Sequence, residues 1–142
     1  MNLIRQETDY ALRLMGELGG AAGESISAKL AAAKAEVPYE FACKILQKLH
    51  EGGLVASVMG PRGGFKLARA ASEITLLDVV SAVQGPMIVN NCVGTQACCG
   101  REDICPISIK MSELQAHVDQ FFNGITLEDV LNGKAKEVSD AK

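Results

Sequence analysis

Cys92, Cys98, Cys99 and Cys105 lie within one short stretch and are the side chains best suited to chemistry. Thiolate is a soft donor, so thiolates gathered this closely suit an iron–sulfur cluster, zinc or copper(I). No Cys-x2-Cys pair occurs, which disfavours a zinc ribbon. Between the cysteines stand Gly94, Ala97 and Gly100, small residues that let a backbone wrap a cluster. Cys105 precedes Pro106, a residue that opens helices, so its sulfur is expected at a positive helix end that favours thiolate. The competing reading is a reduced thiol cluster or a labile disulfide. Cys98 and Cys99 are adjacent, and joining them requires a strained ring. Cys43 stands alone.

Compartment bears on this choice. No apolar run reaches the ~18 residues that span a bilayer, so no membrane partner is expected. Met1-Asn2-Leu3-Ile4-Arg5 lacks the apolar stretch of a signal peptide, which predicts a cytoplasmic protein. Cytosolic thiols stay reduced, so clustered cysteines there favour metal or redox chemistry over structural bridges.

The elements that must position these thiols read out in order. The 142 residues suit one domain, or a DNA-binding unit plus an oligomerisation element. Hydrophobic residues make up 48% and aromatics only 4%, which calls for an aliphatic, helical core. Ile4, Thr8, Ala11, Leu12, Met15 and Leu18 recur at helical spacing until Gly19-Gly20. Ser27 can cap a short helix over Ala28–Ala35. Pro38 opens a third, with Ala42, Ile45, Leu46 and Leu49 as its buried stripe and Gly52-Gly53 as its end. Leu54–Val58 and Phe65–Ala68 read as strands joined by the turn Gly60-Pro61-Arg62-Gly63-Gly64. Two short helices followed by a hairpin predict a winged helix-turn-helix.

Thr75 begins a fourth helix with Asp78 at its third position, and Gly85-Pro86 end it. The pattern Ile74–Val79 returns at Ile125–Val130, which marks two helix starts, not a repeated domain. Pro106 opens the longest helix, where Ile107, Met111, Leu114, Val118 and Phe121 form a narrow seam suited to a homodimer. The expected class is therefore mainly α with a small β-hairpin wing, plus a long C-terminal dimerisation helix. The expected division is a DNA-binding domain over 1–85 and a cysteine-rich cluster-binding loop over 86–105. A dimerisation helix and a short helix follow over 106–133, then a disordered tail over 134–142.

Net charge is −3, but it is unevenly spread. Residues 1–70 carry nine basic against seven acidic side chains, and 71–142 carry five against ten. Local basicity is what DNA feels within a Debye length. On the third helix, Tyr39, Glu40, Cys43, Lys44 and Gln47 face outward as candidate base readers. Lys44 suits guanine and Glu40 suits cytosine. Lys29 and Lys48 suit phosphates, and Arg62 at the wing tip suits backbone or minor groove. The expected partner is double-stranded DNA, a palindromic operator read by a homodimer. His50 and His117 lie on different helices, and no catalytic constellation is evident, so no enzyme is expected.

Several segments together resemble a known family. They are Thr8-Asp9-Tyr10-Ala11-Leu12, Lys44-Ile45-Leu46-Gln47-Lys48-Leu49, Gly53-Leu54-Val55 and Gly60-Pro61-Arg62-Gly63-Gly64-Phe65, followed by spaced cysteines. The chain resembles the iron–sulfur-type winged-helix regulators typified by IscR and NsrR, the Rrf2 family. The resemblance implies a homodimeric repressor or activator whose DNA affinity follows a [2Fe–2S] or [4Fe–4S] cluster, in response to iron, oxidants or nitric oxide. It implies Cys92, Cys99 and Cys105 as ligands, with Cys98 as substitute or fourth. Ser108 stands where some members have a histidine ligand, and Asp9 matches an acidic ligand that others reach over from the partner subunit. Met59 stands where an arginine is common before the Gly-Pro of the wing. Two other readings stay open: a metal-free regulator switched by thiol oxidation or a partner, and a small iron–sulfur electron-transfer protein.

Overall fold

Thr8, Ala11, Leu14, Met15 and Leu18 share one face of a helix, and that face is buried in the computed structural model. The structure describes residues 3–89 and 105–140. The helices are α1 (Gln6–Gly20), α2 (Ala28–Ala35), α3 (Tyr39–Glu51), α4 (Leu76–Gln84), α5 (Pro106–Asn123) and α6 (Leu127–Asp140). The strands are β1 (Val55–Val58) and β2 (Gly64–Leu67), and a single 3₁₀ turn covers Ala71–Glu73. This is the mainly helical fold with a hairpin wing that the sequence predicts.

The core forms where three apolar stripes meet. α2 presents Ala31, Ala32 and Ala35, whose small size lets α1 and α3 approach closely. α3 supplies Ala42, Ile45, Leu46 and Leu49, the stripe expected of it. Ser27 caps α2, its Oγ accepting from Leu30 N at 3.0 Å. The turn from α2 into α3 passes through Glu36 at φ 58°, ψ 48°, a left-handed conformation that costs a side chain about 1–2 kcal/mol. Glu36→Gly is therefore expected to raise stability by up to about 1 kcal/mol after the unfolded-state entropy of glycine is counted. Urea unfolding checks this.

β1 and β2 pair antiparallel from Val55↔Leu67 to Val58↔Gly64. Ile26 extends the hairpin by one bridge: its N–H donates to Phe65 O at 3.0 Å, and Phe65 N–H donates to Ile26 O at 2.8 Å. The wing is thus fastened to the chain entering α2.

Thr75 and Asp78 form a reciprocal capping box at the start of α4, each bond 3.0 Å. Thr126 and Asp129 repeat it at the start of α6, again at 3.0 Å. The two repeated segments also pair with each other: Leu76 N–H donates to Ile125 O at 2.9 Å, and Leu127 N–H to Ile74 O at 2.7 Å. The short repeat thereby stitches the chain's end onto its winged helix.

Some boundaries differ from expectation: β1 starts at Val55, one residue after Leu54, and β2 covers Gly64–Leu67, one residue earlier than Phe65–Ala68. α1 ends at Gly20, within the Gly19-Gly20 pair expected to stop it. Gly19 also serves packing: a Cβ there would lie 2.8 Å from Leu131 Cδ1, so α6 seats on the bare backbone. α6 continues to Asp140, past the tail expected from Lys134, because Lys134, Ala135, Lys136 and Glu137 are good helix formers. α5 is shallowly embedded, with only Ser108 fully buried.

Candidate nucleic-acid interface and cysteine site

The buried stripe of α3 turns its opposite face to solvent, and its N-terminal half carries Tyr39, Glu40 and Lys44 there, all exposed. Cys43 is half-buried on the same stretch. Cys43 beside Tyr39, through side-chain hydrogen bonding and charge, holds the phenol above its usual pKa. Tyr39 therefore presents a neutral ring and hydroxyl. Lys29 on α2 and Arg62 at the wing tip are exposed as well. None of the ion pairs among the described residues engages Lys29, Lys44 or Arg62.

Lys48 is placed differently from its neighbour Lys44. Its Nζ pairs with Glu7 Oε2 at 3.2 Å and donates to Val83 O at 3.3 Å, so it ties α3 to α1 and α4. Lys44→Ala is accordingly expected to weaken binding to a cognate site by about 1–3 kcal/mol, the worth of a base contact. Lys48→Ala should instead change folding stability, by no more than about 1 kcal/mol for so exposed a pair. Fluorescence anisotropy and thermal unfolding of both variants separate these effects.

The wing tip is anchored on its far side too. Ser25 Oγ donates to the Arg62 carbonyl at 2.9 Å, which directs the backbone of the tip while leaving the guanidinium exposed. Met59, beside it, is 89% exposed.

Of the proposed ligands, Asp9 and Cys105 fall within the described residues, and Cys92, Cys98 and Cys99 lie outside them. Cys105 is half-buried and sits at the N-cap of α5, with Pro106 next in the helix. Its carbonyl accepts from Ile109 N–H at 3.1 Å. The helix end favours an anion there, which fits a thiolate ligand. Asp9 is exposed on α1 and pairs with Arg13 at 2.9 Å. Arg13 also lies 5.5 Å from the ring centre of Tyr10, which in turn meets Phe41 at 6.2 Å. Among the described residues, no three metal-binding side chains come together.

Two features escape sequence reasoning. Ile26 fastens the wing, and Gln84 fastens the N-terminus: Oε1 accepts from Arg5 N–H at 3.0 Å and Thr8 Oγ at 2.6 Å, while Nε2 donates to Leu3 O at 3.0 Å. Both join residues far apart in the chain, which periodicity does not register.

Comparison with known proteins gives concordant matches. The profile of a family described as "Rrf2: Iron-dependent Transcriptional regulator" matches residues 4–133. The chain is 36% identical over 91 residues to the HTH-type transcriptional regulator IscR of Pectobacterium carotovorum, covering 64% of this chain and 55% of IscR. The chain thus spans little more than half of that relative. It is 32% identical over 133 residues to protein aau3 of Rhizobium meliloti, covering 92% and 86% of the two chains. In three dimensions it is similar to CymR, described as the global cysteine regulator of B. subtilis. That match has a TM-score of 0.74 at 24% identity and covers 94% of this chain and 99% of CymR.

Proposed function

Because the chain belongs to the Rrf2 family of DNA-binding transcriptional regulators, and so is not an enzyme, we propose that an iron–sulfur cluster sets its affinity for a palindromic operator. Residues 1–85 form the DNA-binding domain, 86–105 the cluster-binding segment and 106–133 the dimer-forming part. The exposed start of α3 enters the major groove, with Lys44, Glu40, Tyr39 and Cys43 toward base edges and Lys29 toward phosphate. Arg62 contacts the flanking backbone or minor groove. Lys48 reaches phosphate only by giving up Glu7 and Val83 O.

The observation that carries the cluster reading is Cys105, a half-buried thiol at the start of α5 that ends a run of four closely spaced cysteines. Cys92, Cys99 and Cys105 would hold the cluster, with Cys98 as substitute or fourth ligand. Asp9 of the partner subunit is the other candidate for the last position. Its pair with Arg13 is exposed, so releasing it costs at most about 1 kcal/mol. When bound, the cluster supplies sensitivity to iron, oxidants or nitric oxide in the cytoplasm. The chain's own part is to join the cysteine segment to α5 and, through it, to the partner subunit. Ile107, Leu114 and Phe121, exposed by 63%, 45% and 62%, form a line along α5 that supports pairing of two copies.

Anaerobic purification followed by iron, sulfide and visible-absorption analysis tests the proposal. Cys105→Ser is expected to lose the iron and the colour, while Cys43→Ser keeps both. Wild-type protein that stays colourless and iron-free after reconstitution overturns the cluster. Loss of two thiols on peroxide treatment, with DNA binding restored by reduction, would then establish the metal-free thiol switch.

A further inference from the structure

After α4 the chain leaves the DNA-reading unit through Gly85, Pro86 and Met87, and Gln115 of α5 receives it. Gln115 Oε1 accepts from Val89 N–H at 3.0 Å. Its Nε2 donates to Met87 O at 2.7 Å and to Asp119 Oδ1 at 3.0 Å. An ionised Asp119 can only accept, so it fixes which end of the carboxamide is the nitrogen. Gln115 therefore offers residues 87–89 one donor and one acceptor, as a neighbouring strand would. Met87 itself is buried.

The other end of the crossing is held as firmly. Gln84 binds the backbone of Leu3 and Arg5, and Lys48 of α3 donates to Val83 O at 3.3 Å. Residues 83–89 are thus the place where α1, α3, α4 and α5 are fastened together. Apolar burial does little of this for α5, which packs against α4 and buries only Ser108 completely. Hydrophobic contact is non-directional, whereas a hydrogen bond to backbone sets distance and angle.

We propose that Gln115 is a positioning residue that sets the orientation of α5 relative to the winged helix, and so the separation of the two reading heads. This rests on the reading that α5 pairs two copies. A helix-turn-helix dimer reads half-sites whose spacing is dictated by the protein, so a loosened crossing tolerates wrong spacings.

The test uses the full chain, an operator selected from random DNA by the wild type, and the same operator with half-site spacing changed by one base pair. Binding is read by fluorescence anisotropy, association state by sedimentation velocity. Gln115→Met keeps the side chain's bulk and removes all three bonds. Asp119→Ala is milder, leaving the carboxamide in place but unoriented, and carries the test if Gln115→Met folds poorly. Wild type is expected to favour the native spacing by ~10-fold or more, since one base pair rotates one head about the DNA. Gln115→Met should narrow that ratio to about 3-fold and Asp119→Ala to between the two, with preference for half-site bases unchanged. An unchanged ratio in both variants overturns the inference, as does an equal loss of affinity at every spacing. A monomeric wild type, or one indifferent to spacing, overturns the dimer reading first and this inference with it.

Discussion

Gly64→Ala is expected to release the wing and lower operator affinity by about 100-fold, the combined worth of wing contacts and their positioning. A Cβ on Gly64 would overlap the Ile26 carbonyl and come within 2.8 Å of Ser27 Cα. All of these are backbone atoms that cannot turn aside. The bridge between Ile26 and Phe65, with bonds of 3.0 and 2.8 Å, must open to admit the methyl group. Loss of both bonds with the attendant strain should cost about 2–4 kcal/mol of folding stability. Arg62 then has no fixed place. Gly63 is similarly constrained, since its Cβ would overlap the Val58 carbonyl oxygen. Gly20→Ala is the control, because nothing lies within 4 Å of that position. Thermal unfolding and anisotropy of the two variants decide the matter; a Gly64→Ala protein binding like Gly20→Ala would show the wing contact to be dispensable.

Leu114→Glu is expected to leave the fold intact and to make the protein monomeric. Leu114 is 45% exposed in the single chain and lies midway between Ile107 and Phe121, each seven residues away. A carboxylate at the centre of a paired apolar seam would be buried without a partner, which costs several kcal/mol. Operator affinity should fall at least about 100-fold, because each head must then bind its half-site alone. Sedimentation velocity reports the association state, and far-ultraviolet circular dichroism confirms the fold. A variant that remains dimeric would place the interface on another face of the molecule.

The caps and stripes of this protein were legible because their signals are local. Thr75 with Asp78 and Ser27 with Leu30 N–H lie within one helical turn, so their geometry follows from spacing alone. The stripe of α3 needed only the 3.6-residue period to expose Tyr39, Glu40 and Lys44 on the far side. On α1, helical spacing picks out Ile4 and passes over Leu14. Ile4 precedes the helix, and Leu14 faces the inner side. That choice is made by what packs against α1, including α6 from the other end of the chain.

The wing and the cysteine segment, the features most distinctive in the sequence, contrast in the same way. The sequence alone determined that a Gly-rich hairpin follows two short helices, that the thiols gather before Pro106, and that Lys44 faces outward. These depend on residue type and near-neighbour spacing. The tertiary structure decided that Lys48 clasps Glu7 and Val83 O, that Gly64 must be bare because Ile26 passes against it, and that Gln115 receives the chain leaving α4. It also decided that Cys105, whose place at the head of α5 follows from Pro106, is half-buried there. Each of these is a meeting of groups distant in sequence, and only the packed core, which leaves each buried polar group one place to find its partner, specifies such meetings.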